Sequence, residues 1–420
     1  MKVLFIIPGS GDSFYCGNCF RDNLQASALR KAGHDVIIMP LYLPLKHQSF
    51  QADTPLFFPA TTYFVAQKFF GEKKMPGWLK RVTGSDSMLN MASSLSGTTS
   101  AEGMEEMTLS MITGDDPAFR EQVQQLIDWV KNQEKPDIIH LSSTLLLGIA
   151  KEIKQQLDIP VVCSVQDEEV WIDSLNEKDS SLAWQGIREN IPYIDRFITT
   201  SEFYKKIISE RIPQMKAVDV VYPGINSEKY ASDSYPEDPV IGFFYRMNQK
   251  NGLDILAEAF VKLKKRGTVQ RLKLKIGGGY TGEDKRFLKR IKSILSPYKE
   301  DVEISDSYSL DDHTGFYRTI TVLSVPITFE ESVGLYLCEA FAAGRPAVEP
   351  AIGSFSEIVE GAGLIYSPND SDSLADALER ILTDEALLAK CKEQALKLSK
   401  TRYSDFVLAN NLINIYQNFI

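Results

Sequence analysis

The chain has 420 residues, of which 44% are hydrophobic and 24% charged. That balance belongs to a folded protein of more than one domain and excludes a disordered or collagen-like chain. Lys and Arg number 46 against 56 Asp and Glu, a net charge of −10, which excludes a general nucleic-acid-coating role.

In chain order, Val3–Ile7 opens an apolar run, too short for a signal-peptide core and followed early by Asp12. Ended by Pro8 and Gly9, it reads as a buried parallel strand. A small-residue loop, GSGDSFYCGNC, leads into a helical pattern at Phe20, Leu24, Ala28 and Leu29, closed by Gly33. DVIIMPLYLP is the next strand, so the chain opens with a β-loop-α-β unit. Residues 45–115 lose this pattern, are richer in Ser, Gly and Met, and read as an insertion. The alternation returns with strands at Asp137–Ser143, Pro160–Val165, Arg196–Ser201 and Val218–Gly224, and with helices over LLLGIAKEIKQQL and from Glu202.

A second start follows. Val240–Arg246 is a strand, LDILAEAFVKLKKRG a helix with a Gly stop, and Arg271–Gly279 a strand running into glycines. VEIS, TVLSVP, PAVEP and GLIYS are further strands. DSLADALERIL and the tail from Asp405 are amphipathic helices. The fold class is therefore α/β, with two doubly wound units joined near residues 224–240. Ligands of such sheets bind beyond the carboxyl ends of the strands, and interdomain clefts favour them. No run of 18 apolar residues exists to cross a membrane. Five Cys, an odd number, make no disulfide framework, so a cytoplasmic setting is expected.

The richest segment is FEESVGLYLCEAFAAGRPAVEP, Phe329 to Pro350. Ser332, Val333 and Gly334 stand between a strand and a helix starting at Leu335. Free backbone N–H groups at such a start suit a phosphate. Glu331 and Glu339 each accept two hydrogen bonds and suit neighbouring hydroxyls. In FFYRMNQKNGLDILAEAF, Arg246 and Lys250 follow the first strand of the second unit.

These residues resemble the donor-binding signature of GT-B glycosyltransferases, specifically the retaining family 4. Its members carry Glu, a Gly three residues later and a second Glu eight residues after the first, as Glu331, Gly334 and Glu339 do. Glu349–Asp370, with Gly353–Ser354 and Glu357, resembles the family's next segment, and the likeness extends over nearly the whole chain. It implies two Rossmann-like domains facing across a cleft. Residues 1–225 would form the acceptor-side domain, carrying the insertion at about 45–115, with the helix of about 402–420 packing back on it. Residues 226–401 would form the donor domain. The implied reaction moves a sugar from a nucleotide-diphosphate donor, a UDP- or GDP-sugar, to an acceptor hydroxyl with retention and with no required cofactor or metal. Arg246 and Lys250 would neutralise the leaving diphosphate, Glu331 would meet sugar hydroxyls, and Glu339 would hold the ribose. Ser332, Val333, Gly334 and Leu335 would line the phosphates, and Gly277 and Gly278 would sit near the base. Gly17 would let the first domain approach the diphosphate.

Two departures stand out. The family has one more residue between Arg and Lys and a Gly directly after Lys, whereas here Asn251 precedes Gly252. On the acceptor side His140 follows a strand, as in many members, but the second His position holds Gln166, which cannot act as a base. Asp167 and Glu168 supply carboxylates for acceptor hydroxyls, and His140 reads either as a catalytic group or as a core histidine. His34 reads as structural.

Cys16 and Cys19 form a CxxC, read as two small loop residues or as a redox pair. Asp370 and Asp372 have a metal-motif spacing but lie beyond the expected donor pocket. Residues 65–81 carry five basic residues and one acidic, with Phe69, Phe70 and Trp78. That suits either a loop packed on the first domain or a peripheral contact with an anionic inner membrane face and a lipid-linked acceptor. Otherwise the expected partners are the nucleotide sugar and a carbohydrate acceptor, with no nucleic acid. A sugar-nucleotide epimerase or phosphorylase on the same fold, and a non-catalytic sugar-binding relative, remain as alternatives.

Overall fold

The computed structural model describes residues 1–8, 17–41, 105–232, 235–305 and 313–420. The first sheet contains β1 (Lys2–Ile7), β2 (Asp35–Pro40), β3 (Ile138–Leu141), β4 (Val161–Val165), β5 (Arg196–Thr199) and β6 (Val218–Val220). Its order is β2-β1-β3-β4-β5-β6, all parallel. The second contains β7 (Val240–Phe244), β8 (Lys273–Gly277), β9 (Val302–Ile304), β10 (Val322–Leu323), β11 (Ala347–Pro350) and β12 (Gly363–Tyr366), in the order β12-β11-β10-β7-β8-β9, again parallel.

The strand sequences explain the parallel arrangement. In β1 Val3 to Ile7 are all buried, as are all of β3, β4 and β7, and helices cover both faces. Pleating sends Leu4 and Ile6 into one core with Ile139 and Leu141, and Val3, Phe5 and Ile7 into the opposite one. Helix starts are fixed locally. Ser201 caps Glu202–Arg211 by accepting from the Tyr204 amide at 3.1 Å, and Ser404 caps Asp405–Tyr416 through Val407 at 3.3 Å. Asp370 caps Ser371–Thr383 through the Asp372 and Ser373 amides. Asp370 thus serves as a helix cap, while the Asp372 carboxylate pairs with Lys262 Nζ at 2.6 Å.

Two arrangements tie the halves together. The chain passes from the first sheet to the second near Ile225 and returns near Ser404. The two crossings pair, with the Ile225 amide donating to Tyr403 O and the Asp405 amide to Ile225 O, both at 2.9 Å. The returning helix then buries Leu408, Leu412 and Tyr416 in the core that holds Val3 and Phe5. Conversely, Phe20 of the helix Gly17–Lys31 belongs to the core of the second half, and Leu24 packs on it.

Residues 42–104, which include most of the insertion expected at about 45–115 and the basic–aromatic stretch 65–81, lie outside the described residues. Its last part is different from the expectation. Glu105–Thr113 is a helix whose Met111 and Ile112 enter the first domain's core, followed by the amphipathic helix Pro117–Lys131. Short Met- and Ser-containing runs hide this pattern in the sequence.

Each sheet reverses its winding once, at β1/β3 and at β7/β10. A crevice opens beyond the carboxyl ends at such points, and the candidate residues gather there.

Candidate active site

Beyond β7 the chain turns through Arg246. This side chain is only 6% exposed and is held by Asp284, with Nε donating to Oδ2 at 3.0 Å, and by Thr281, with Nη2 donating to Oγ1 at 2.9 Å. Lys250 is exposed, and its carbonyl accepts from Thr328 N at 2.9 Å and Oγ1 at 3.0 Å. Asn251 braces the turn. Its Nδ2 donates to Arg246 O at 2.7 Å and its amide to Asn248 Oδ1 at 2.9 Å. The residue that breaks the family spacing is thus buried and used as the internal strut of the loop. Gly277 and Gly278 lie beside it at the end of β8. Tyr245 N donates to Gly277 O at 3.2 Å, and Met247 N to Gly279 O at 2.9 Å. Gly278 has φ +108, and a Cβ there would stand 2.4 Å from Tyr245 O, so only glycine fits.

Beyond β10 the chain passes Glu331, Ser332 and Val333, all buried, and Gly334, φ +65, opens the helix Leu335–Ala342. Burial pushes the Glu331 carboxyl above its ordinary range, while the nearby Val333, Gly334 and Ser332 amides and the Tyr245 hydroxyl pull it back. The amides expected to face a phosphate are thus already turned toward Glu331. One turn into the helix, Glu339 accepts from Tyr230 OH at 2.9 Å and Tyr317 OH at 2.7 Å, and His313 Nε2 lies at 3.2 Å. A carboxylate has about four lone-pair sites, so most of its acceptor capacity is engaged.

The two halves meet at Ser332. Its Oγ donates to Asp167 Oδ2 at 2.9 Å, and its carbonyl accepts from Ser201 Oγ at 2.6 Å. Nearby, Glu357 takes the Glu202 and Phe203 amides, each at 2.9 Å, and the Tyr222 hydroxyl at 2.6 Å. A carboxylate of one half therefore caps a helix of the other. Asp167 follows β4 in the left-handed region, φ 51. Burial, with Glu331 and Glu169 beside it, pushes its carboxyl well above the usual range.

Two acceptor-side expectations are corrected. His140 points into the core rather than the crevice. It is fully buried, with Nδ1 2.6 Å from Tyr416 OH, Nε2 2.8 Å from Ser164 Oγ, and Phe5 against its ring. Burial lowers it to about 3, so it stays neutral. It is the core histidine of the two readings, because a residue inside a strand alternates with its neighbours rather than facing the carboxyl end. Glu168 is also turned inward, accepting from Ser143 Oγ and Thr144 N at 3.0 Å and from Gln166 N at 2.6 Å. It ties the loop after β3 to the loop after β4, and burial raises it to about 7. Gln166 is buried at the end of β4, and Gly17 is the first residue of its helix. His34 sits 3.3 Å from the amino terminus, and Cys16 lies outside the described residues.

His140 gives a direct check. His140→Gln should lose about 1–3 kcal/mol of stability, because Tyr416 and Ser164 lose a buried partner. In the wild type, a folded-state pKa below the unfolded value gives stability that is present above about 6.5. It is lost as pH falls toward about 3. Denaturant titrations at pH 7 and pH 4.5 should show a smaller pH dependence in the variant, and an unchanged one would contradict this account.

Sequence patterns gave no sign of Thr281, Asp284, Tyr230, His313, Tyr317 or the fully buried Glu349, which accepts from the Val325 amide at 3.1 Å. Each meets its partner through the fold. Among the described residues, no group of three or more His, Cys, Asp or Glu could hold a metal ion, and no helix is long and apolar enough to cross a membrane.

Two Rossmann-like halves with facing crevices are the GT-B architecture. Solved structures share it over the full chain. Sucrose-phosphate synthase from Thermosynechococcus elongatus superposes with a TM-score of 0.69 at 15% identity, covering 100% of this chain and 99% of that one. Anabaena HepE in complex with UDP superposes with 0.66 at 14%, covering 100% of both. Residues 238–384 match the family model described as Glycosyl transferases group 1, and residues 111–229 match Glycosyltransferase Family 4. The chain belongs to the GT-B glycosyltransferases. D-inositol 3-phosphate glycosyltransferase of Corynebacterium jeikeium is 27% identical over 244 residues, which are 53% of this chain and 57% of that protein.

Proposed function

We propose that the protein transfers a hexose from a nucleotide-diphosphate sugar to a hydroxyl of a carbohydrate acceptor, with retention of anomeric configuration. The observation that carries this reading is the convergence of the Arg246–Lys250 loop and the Glu331–Glu339 segment beyond β7 and β10, opposite Asp167. UDP is the favoured nucleotide, in line with the UDP complex of the HepE neighbour.

In this mechanism the sugar C1–O bond to the diphosphate breaks first. Positive charge builds on the anomeric carbon and negative charge on the leaving phosphate. Lys250 and Arg246 stabilise that phosphate, which is the main catalytic effect available to this site. The acceptor oxygen attacks from the face the diphosphate leaves, and its proton passes to the departing phosphate oxygen. Glu339 receives ribose hydroxyls as Tyr230 or His313 yields. Ser332, Val333, Gly334 and Leu335 border the phosphates, Gly277 and Gly278 the base, and Gly17 the diphosphate from the first half. Glu331 positions the sugar, and Asp167 and Gln166 meet the acceptor. Charge compensation by side chains requires no metal.

Nucleotide binding and turnover test the reading. One base at 100 times its dissociation constant should stabilise the chain by about 2.7 kcal/mol. The matching sugar nucleotide should release free nucleotide with EDTA present, and the glycoside formed should keep the donor's anomeric configuration. No stabilisation by any nucleotide would overturn the donor site, and an inverted product would overturn retention.

A further inference from the structure

The helix Gly17–Lys31 is unusual in burying four polar side chains near its start, Arg21, Asp22, Asn23 and Gln25. Phe20 and Leu24, one turn apart, face the second domain's core. Arg21 faces the first sheet instead. Its Nη2 donates to Ser142 O, just past β3, at 3.1 Å, and to Asp22 Oδ1 at 3.1 Å. This places the guanidinium at the β1/β3 reversal, where the first sheet's own crevice opens.

The guanidinium is poorly satisfied there. It carries five N–H donors, and Nη2 uses two. Nε and Nη1 have no partner among the described residues, although Arg21 is only 3% exposed. Ser142 Oγ, 1% exposed, makes no hydrogen bond of ordinary length there, though it lies close enough to Asp22 to lower its carboxyl. Buried polar atoms in folded proteins are nearly always paired, and a charged group left short of partners is the most costly exception. Asp22 pairs with one edge of the guanidinium only, and burial raises its carboxyl while Arg21 and Ser142 pull it back. The same positive charge reaches His140 and Cys163 deeper in the sheet.

We propose that Arg21, with Ser142 beside it, anchors an oxyanion carried by the acceptor, either a phosphate or a carboxylate. The inference rests on the transferase reading, because it assigns this crevice to the acceptor, and it adds a substrate class. A guanidinium recognises both anions through the same charge-assisted hydrogen bonds. Arg21 then selects acceptors by charge, while Asp167 and Gln166 meet the reacting hydroxyl.

Calorimetry on the full chain tests this, with UDP saturating so that the diphosphate region is filled. Inorganic phosphate and acetate are titrated into wild type, Arg21→Gln and Arg21→Lys. One of the anions should bind wild type at one site, with affinity at least tenfold weaker in Arg21→Gln and at least threefold weaker in Arg21→Lys, which keeps the charge but loses the planar fork. Preference for phosphate assigns a phosphorylated acceptor, and preference for acetate a carboxylated one. Equal binding by wild type and variants, or no binding of either anion by UDP-loaded wild type, overturns the proposal. If Arg21→Gln does not fold, the wild-type and Arg21→Lys titrations decide. If wild type binds no nucleotide, the transferase reading fails on its own, and the nucleotide-free chain then gives the same comparison for Arg21.

Discussion

Arg246→Gln should lower kcat/KM for sugar transfer by about 10²–10³-fold, the usual loss when one group stabilising a developing oxyanion is removed from an enclosed site. The same change should cost about 3–5 kcal/mol of stability, because Asp284 is left as a buried carboxylate facing Thr281 without its cation. These losses have separate origins, so a second substitution separates them. Arg246→Gln combined with Asp284→Asn replaces the ion pair by two neutral amides. It should recover most of the stability and none of the activity. Urea denaturation and steady-state kinetics on the three proteins supply both readouts. Recovery of activity in the double variant would show that Arg246 acts by holding Asp284 rather than by meeting the donor.

Gly252→Ala should be among the most damaging single-methyl changes in the second domain. Gly252 has φ +72, a region that costs an alanine roughly 1 kcal/mol or more. Strain is the smaller part of the effect. A Cβ at this position would lie 1.8 Å from the carbonyl oxygen of Pro326, so the loop and the segment after β10 must separate. We expect a loss above about 3 kcal/mol and a fall in melting temperature on the order of 10 °C. Lys250 lies two residues away, and its carbonyl is bonded to Thr328 on that same segment. Surviving enzyme should therefore show a raised KM for the sugar nucleotide. A melting temperature within a few degrees of wild type would show that the loop yields easily.

The fold was largely legible in the sequence because its strands are continuous apolar runs bounded by Gly and Pro. VLFII, DIIHL and VIGFF each became a parallel strand with both faces covered. The helix Glu105–Thr113 was missed because a nine-residue element with three buried side chains has too short a period to stand out from its surroundings. Donor-side residues were legible where chemistry is concentrated in a short segment, as in Glu331 to Glu339. Their partners were not. Tyr230 lies 109 residues from Glu339, and Asp284 lies 38 from Arg246, so no local pattern pairs them. His140 shows the opposite failure. Its residue type advertised catalysis, whereas its place within β3 decided its role, and Tyr416, 276 residues away, completes its environment.

That last contact has a consequence for how the chain is made. Leu408, Leu412 and Tyr416 close the face of the first sheet formed by Val3, Phe5 and Ile7. A ribosome delivers those strands first and the covering helix last. Throughout synthesis of the intervening second half, the earlier half carries an apolar face only partly covered by the helix Gly17–Lys31, and an unfinished hydrogen bond at His140. The second half builds its core on the already synthesised Phe20 and Leu24 and can settle as it emerges. The usual order of domain completion is thereby reversed. The half synthesised first is finished last, and nascent chains are most exposed to aggregation and chaperone capture until residue 416 is added.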